Sequence, residues 1–505
     1  MNEEIVIWLL LAVPTLAGLA SLLAPSPKLA LAVMCAGIVG TAGLGLWAVG
    51  AVLLHGRVLF AAANWLVMDA LSAYHFFVML VVFGLSSLYG CIYFQQELWY
   101  HHLTLKQIRQ FTSLWCGALA AMAMTLLSNN LGLMWVGIEA TTLVTAFLIC
   151  IYFSRESLEA MWKYILVCSV GVAFAFMGTL LAAASAKGAG IDGHHVLLWT
   201  TLRTHADLLD PALMKAAFIF LLVGYGTKAG LAPMHSWLPD AHSQAPSPVS
   251  ALFSGILLST SMYCLMRYIP IVEGATRHTG WGLNLLTGFG LISITLAAGF
   301  ILFQTHVKRF LAYSSMEHIG IIALGLGLGP LGTLAALLHT LNHALAKTLA
   351  FFSAGRLAQM TSSYSMKSLR GVLRLSPLWG TALFAGILAL IGMAPFSLFI
   401  SEFMILKAAL QGGSLLVAAV FLAGIGVVFI GALSHLIPMV WGTPADPSLR
   451  PARPSFLEYL LVAAPLAVLL LLGLWMPQTL FRVLNAAAGI VSPAGGIVPL
   501  SGGWR

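Results

Sequence analysis

TKAGLAPMHSWLPDAHSQAPSPVSALFSG, residues 227–255, and LIGMAPFSLFISEFMILKAAL, residues 390–410, are long apolar segments interrupted in the same way. Laid over each other, Gly230-Leu-Ala-Pro233 matches Gly392-Met-Ala-Pro395, and a carboxylate follows ten residues after each glycine, Asp240 and Glu402. The shared spacing suggests an internal repeat. Proline inside a helix removes a hydrogen bond and clashes with the preceding turn. In a bilayer the freed backbone groups are tolerated only where they face protein or a water-filled cavity. One such break reads equally well as a structural kink. Two matched breaks, each beside ionisable residues, favour a transport path.

Working outward, the 505 residues are 60% hydrophobic and only 8% charged. Soluble domains carry about one quarter charged residues, so a soluble enzyme is excluded. The net charge of +8 is spread too thinly for the clustered basic face that nucleic-acid binding needs. Its use is topological, because basic residues gather in cytoplasmic loops. Cys35, Cys91, Cys116, Cys150, Cys168 and Cys264 lie in or at the ends of apolar runs, with no C-x-x-C and no close pairs. Iron–sulfur or zinc ligation through them is not expected. The first apolar run follows Asn2, Glu3 and Glu4 with no basic segment before it, and reads as a retained span.

A bilayer core of about 30 Å takes roughly 20 apolar helical residues. The runs predict an all-α polytopic protein of about fourteen spans, centred near residues 15, 40, 82, 119, 140, 173, 220, 258, 291, 321, 345, 387, 426 and 466. The polar stretches 95–109, 186–211, 360–375 and 442–455 are too short for a soluble domain. With the N-terminus outside, cytoplasmic loops hold Lys28, Lys106, Arg109, Arg155, Lys308, Arg309, Arg356, Lys367, Arg370, Arg374, Arg450 and Arg453, and opposite loops hold Arg57, Lys187, Arg203, Arg267, Arg277 and Lys407. This bias predicts both termini outside a bacterial or archaeal cytoplasmic (inner) membrane.

A charge at the bilayer centre costs at least about 2.5–3.5 kcal/mol, so charges inside spans need a reason. Glu139 sits mid-way in the fifth span, NNLGLMWVGIEATTLVTAFLICIYF; its bland reading is a carboxylate hydrogen-bonded between helices. Lys228 stands at the first break, Glu402 just past the second, and Lys163 begins the sixth span, where it can snorkel to the interface. The eleventh span, TLAALLHTLNHALAKTLAFFSAG, places His339, His343 and Lys347 at i, i+4 and i+8 on one face. Such a ladder can pass protons. Histidines at i and i+4 can also share a metal, but no Glu follows His339 directly and no third ligand completes a site, so no metal is expected. The tenth span adds Glu317 and His318, with Lys308 and Arg309 at its cytoplasmic mouth.

KAGLAPMHSWLPDAHSQAPSPVSAL, KRFLAYSSMEHIG, LNHALAKTLAFFSAG and GMAPFSLFISEF together resemble the antiporter-like proton-translocating subunits of respiratory complex I, Mrp-type cation/proton antiporters and membrane-bound hydrogenases. The resemblance covers roughly residues 65–440. MEHIG, LNHALAK, the SEF of the twelfth span and the short C-terminus look most like hydrogenase-4 component F, from formate-hydrogenlyase-type and related complexes.

The resemblance implies broken helices seven and twelve and two inverted five-helix repeats, dividing the chain at 1–108, 109–270, 271–441 and 442–505. It implies that Glu139 and Lys228 are a coupling pair between neighbouring channels, that His339, His343 and Lys347 form the central proton axis, and that Glu402 lies toward the exit. Auxiliary roles fall to Lys163, Asp240, His242, Lys308, Glu317 and His318. Ser250 and Ser254 stand where some members carry an eighth-helix lysine or histidine, and Ser169 and Val172 where a complex I subunit carries Arg and Asp. The axis then depends on His242, on water or on the eleventh-span ladder. The long lateral helix of the distal complex I subunit has no counterpart, which argues against that identity.

The implied function is proton translocation coupled to redox reactions in partner subunits: other membrane subunits and a peripheral redox arm. The chain itself is expected to hold no haem, flavin or iron–sulfur cluster. The rivals are a gradient-driven Mrp-type antiporter, a proton-driven module for inorganic-carbon uptake, and an anchor without transport. Histidines and lysines on the axis favour H⁺ over Na⁺, which prefers oxygen ligands.

Overall fold

The computed structural model describes residues 3–99, 103–444 and 453–492. In the first half the helices are α1 (Glu3–Leu22), α2 (Pro27–Leu53), α3 (Ala70–Trp99), α4 (Leu105–Leu127), α5 (Leu131–Ile149), α6 (Arg155–Gly188), α7 (Trp199–Thr204), α8 (Pro211–Ala229), α9 (Trp237–Gln244), α10 (Ser247–Leu252) and α11 (Leu258–Ala275). In the second they are α12 (Trp281–Ile301), α13 (Val307–Gly327), α14 (Gly329–Thr361), α15 (Val372–Leu375), α16 (Pro377–Leu390), α17 (Ser397–Gln411), α18 (Leu415–Trp441), α19 (Phe456–Leu474) and α20 (Gln478–Val491). Polar residues set the starts. Thr104 and Gln107 form a capping box at α4, Ser154 and Ser157 at α6, and Ser455 and Glu458 at α19. Each satisfies amide groups that a helix start leaves open.

Twelve helices are long and apolar enough to cross a membrane. Adding α14 and the α16–α17 pair gives fourteen among the described residues, and every centre predicted from the sequence falls inside one of them. Elements without a hydropathy signal escaped the sequence: the hairpin of β1 (Leu59–Ala61) and β2 (Leu66–Met68), with Leu59 opposite Met68, and the terminal α20.

The layering follows the polarity. Residues 247–275 and α13 are buried along almost their whole length, and so is most of α14. Around them stand α1, α2, α12, α18 and α19, each only about a third buried, and their outward side chains are apolar, such as Leu16, Val39, Leu416 and Ile430. So extensive an exposed apolar surface belongs against lipid or protein. The ionisable helices are thereby kept at the centre.

Arg356 and Arg267, assigned to loops by the charge pattern, lie well inside helices and are buried. Arg356 is buried in α14, where its Nε donates to the Glu458 Oε1 of α19 at 2.8 Å. Arg267 is buried in α11 and donates through both terminal nitrogens to Asp69, at 2.6 and 2.8 Å. Both were drawn inward because a buried carboxylate awaits them. Arg450 and the tail after residue 492 lie outside the described residues.

Candidate functional site

The first break lies between α8 and α9. Gly230 ends α8 in the left-handed region at φ +80°, a conformation that costs any residue with a Cβ. The Ala232–Pro233 peptide is cis. Freed backbone groups find new partners: Trp237 Nε1 donates to the Thr227 carbonyl at 2.8 Å, and the Ala232 amide donates to Ser293 Oγ at 2.9 Å. This is how a broken helix is tolerated at membrane depth. Lys228, in the last turn before the break, is fully buried. Its Nζ donates to Thr142 Oγ1 of α5 at 2.9 Å and to the Tyr164 hydroxyl of α6, over whose ring it sits at 4.5 Å.

Glu139 lies half-buried on α5, and its Oε1 accepts from Ser169 Oγ at 2.7 Å. Its Oε2 has no hydrogen-bond partner among the described residues. Glu139 and Lys228 are therefore not a contact ion pair; hydroxyl groups hold each of them separately. Ser169 is what binds the carboxylate.

From Tyr164 a line of rings leads to the centre. Tyr164 lies 6.0 Å from Phe253, Phe253 lies 6.0 Å from His242, and His242 stacks on Phe351 of α14 at 5.2 Å. Phe351 is one turn from Lys347 on the same face. Residues 253–257 form a π-helical turn, a local widening often found at functional sites. Within it Ser254 Oγ meets Ser315 Oγ of α13 at 2.7 Å. His242 is fully buried, with both ring nitrogens unpartnered among the described residues.

All three ladder residues of α14 are buried, but each has different surroundings. Lys347 Nζ donates to the Leu311 carbonyl of α13 at 2.9 Å. The ring of His343 lies 5.1 Å from that of His318. His339 Nε2 lies 3.0 Å from His318 Nδ1, and His339 Nδ1 lies 2.9 Å from Ser401 Oγ of α17. Asn342 Nδ2 donates to the Ser397 carbonyl at 2.9 Å, tying α14 to the second break. There Gly392 has φ +65°, Ala394–Pro395 is cis, and Glu402 is buried in the first turns of α17.

His318, auxiliary in the sequence reading, thus stands in the middle of the cluster, and Glu317 is buried next to it in α13. His318, His339 and Glu402 each bring one ligand atom within 4.8 Å of the others. Residues distant in sequence meet because α13, α14 and α17 pack together.

Other candidates lie at the edge. Asp240 of α9 bridges Lys163 Nζ of α6 at 3.2 Å and Arg309 of α13 at 2.5 Å. Lys163, half-exposed and also paired with Glu159 at 2.6 Å, stands apart from the buried groups. Lys308 is buried in the first turn of α13, donates to the Ala245 carbonyl at 2.5 Å and sits over the Tyr364 ring at 4.2 Å.

Sequence reading missed Tyr164, Thr142 and Ser401, whose hydroxyls carry no distinctive signal. It also missed a second buried group, in which Arg267 joins Asp69 and Tyr263, and His75 lies 5.1 Å from Tyr263. A signal existed: Asp69 and Ser72 have the spacing of a capping box, and Arg267 interrupts the apolar run YCLMRYIPIV.

Residues 128–428 match the family described as NADH:quinone oxidoreductase/Mrp antiporter, TM, and this match spans more than half of the chain. The chain belongs to that family. The antiporter-like fold extends beyond the matched region. A curated relative, the hydrogenase-4 component F homolog of Methylacidiphilum infernorum (isolate V4), is 40% identical over 385 residues, 75% of this chain and 80% of the relative. A chain in the structure of the membrane-bound sulfane sulfur reductase, an archaeal respiratory membrane complex, aligns with a TM-score of 0.86 at 23% identity, over 97% of this chain and 98% of that one. A chain of the Mrp complex from Dietzia sp. DQ12-45-1b gives 0.83 at 22%, over 98% and 99%. At these identities the two structures speak for the fold. Both neighbours are subunits of multi-subunit membrane complexes.

Proposed function

We propose that this antiporter-like chain is the proton-translocating membrane subunit of an energy-converting oxidoreductase complex of the hydrogenase-4 or formate-hydrogenlyase kind, related to complex I. Redox reactions in a peripheral arm formed by partner subunits drive protons along the buried ionisable residues. The observation that carries this reading is the run of buried ionisable groups between the two breaks: Lys228, His242, Lys347, Glu317, His318, His339 and Glu402. Each such group is costly in a bilayer, and so many on facing helices exceed what packing requires. The 40% identical hydrogenase-4 component F homolog supports the choice of complex.

Protons relay from Lys228 toward α14 and onward to Glu402, with Glu139 and Lys228 responding to charge in the neighbouring subunit. Glu139 supports a lateral partner: it is only partly covered in the middle of a span, and its buried Oε2 has no hydrogen bond among the described residues. The two matched breaks support inverted repeats over residues 109–270 and 271–441. Histidine and lysine on the axis support H⁺ as the ion, and the loop charges that remain outside the core support external termini in an inner membrane.

Affinity purification of the tagged chain from its native membranes tests the assignment. Hydrogenase-like subunits in stoichiometric amount are the expected company; small multi-pass antiporter subunits alone contradict it.

A further inference from the structure

We propose that His318, His339 and Glu402 form a binding site for a divalent transition-metal ion such as Zn²⁺, where α13, α14 and α17 meet. The three ligand atoms lie within 4.8 Å of one another, and all three residues are buried. Zn–N bonds of about 2.0–2.1 Å place tetrahedral ligand atoms roughly 3.3 Å apart. The two ring nitrogens already stand 3.0 Å apart. Closure around an ion therefore takes side-chain adjustment of up to about 1.5 Å, chiefly at Glu402.

The surroundings complete the site. Ser401 Oγ donates its one proton to the Leu398 carbonyl at 2.8 Å, so it accepts from His339 Nδ1–H at 2.9 Å. His339 Nε2 is left with its lone pair directed at the cluster, the outer-shell arrangement that orients metal-bound histidines. His318 offers Nδ1 once its proton moves to Nε2, a nitrogen with no partner among the described residues. Two imidazoles and one carboxylate with a position left open suit Zn²⁺ or Co²⁺ better than Na⁺ or Ca²⁺, which take oxygen ligands.

A bound ion occupies the lone pairs of His318 and His339. Here the inference rests on the proton-path reading: the ion halts proton movement through the cluster.

The test uses the full chain, purified in detergent and loaded with Co²⁺ alone. Wild type is expected to retain one equivalent after desalting and to show the visible ligand-field bands of four-coordinate cobalt. His318→Ala and Glu402→Gln are expected to weaken retention by more than the roughly 10–100-fold typical of outer-shell changes. His318→Cys restores it with a thiolate-to-metal charge-transfer band, which no packing role produces. His195→Ala, in an exposed loop, binds like wild type. Size-exclusion profiles identify variants that fail to fold, and the cysteine variant then decides the question. Absence of bound cobalt in wild type, or equal retention in all variants, overturns the site. Zn²⁺ added to proteoliposomes of the intact complex separates the two readings: binding without inhibition keeps the site and counts against the proton path.

Discussion

The imidazole of His339 on α14 donates from Nδ1 to Ser401 Oγ on α17 at 2.9 Å, in a direction fixed by the bond from Ser401 to the Leu398 carbonyl. A helix of the central axis is thereby coupled to the second break through one hydroxyl, which selects the tautomer that leaves Nε2 as the proton acceptor facing His318 Nδ1. Ser401→Ala removes the selection without changing charge. A neutral hydrogen bond contributes about 0.5–1.5 kcal/mol, so proton movement is expected to slow up to about tenfold with assembly unchanged. Ser401→Thr restores the rate. Proton uptake into proteoliposomes of the complex reads both.

Lys228 and Lys163 distinguish a buried charge from a surface one. Lys228 is fully buried on hydroxyl partners, whereas Lys163 is half-exposed in ion pairs with Glu159 and Asp240. Exposed pairs contribute about 0–1 kcal/mol. Lys163→Met is expected to leave transport within about a factor of five; Lys228→Met abolishes it. Equal tolerance in the same transport assay would remove Lys228 from the path.

The Asp69–Arg267 pair is a structural prediction independent of transport. Breaking a buried pair from one side costs about 3–5 kcal/mol, while replacing both partners by apolar groups costs far less. Arg267→Met should lower the unfolding midpoint of the detergent-purified chain markedly, and Asp69→Leu with Arg267→Met should recover most of the loss. Thermal unfolding followed by intrinsic fluorescence measures both.

Gly392 has φ +65°, and a Cβ added there would run into the Glu402 carboxylate. Gly392→Ala combines a left-handed backbone penalty of about 1–2 kcal/mol with displacement of Glu402. It is expected to lose transport with only modest loss of stability. Gly413, also at positive φ but with open space around it, serves as the control: Gly413→Ala carries the backbone penalty alone, and its transport is unaffected.

What the sequence made legible follows the physics of each signal. Apolar runs located every span, and proline with glycine located both breaks, because hydropathy and backbone chemistry are local. The titratable residues inside spans were visible for the same reason. Their partners were not. Arg267 and Arg356 read as loop charges because Asp69 and Glu458 lie 198 and 102 residues away along the chain. The meeting of His318, His339 and Glu402 depends on helix packing, which no spacing within one helix reveals. The hydroxyls of Thr142, Tyr164 and Ser401 were silent, since serine, threonine and tyrosine are unremarkable in a membrane span until a charge is found beside them.

The central claim, that protons cross through the α14 face, is tested most directly by replacing Lys347, buried and held by the Leu311 carbonyl. The measurement is proton translocation by the intact complex in proteoliposomes, with Lys347→Met compared with wild type at equal subunit content. The account predicts loss of translocation in the fully assembled variant. Translocation at the wild-type rate would contradict it.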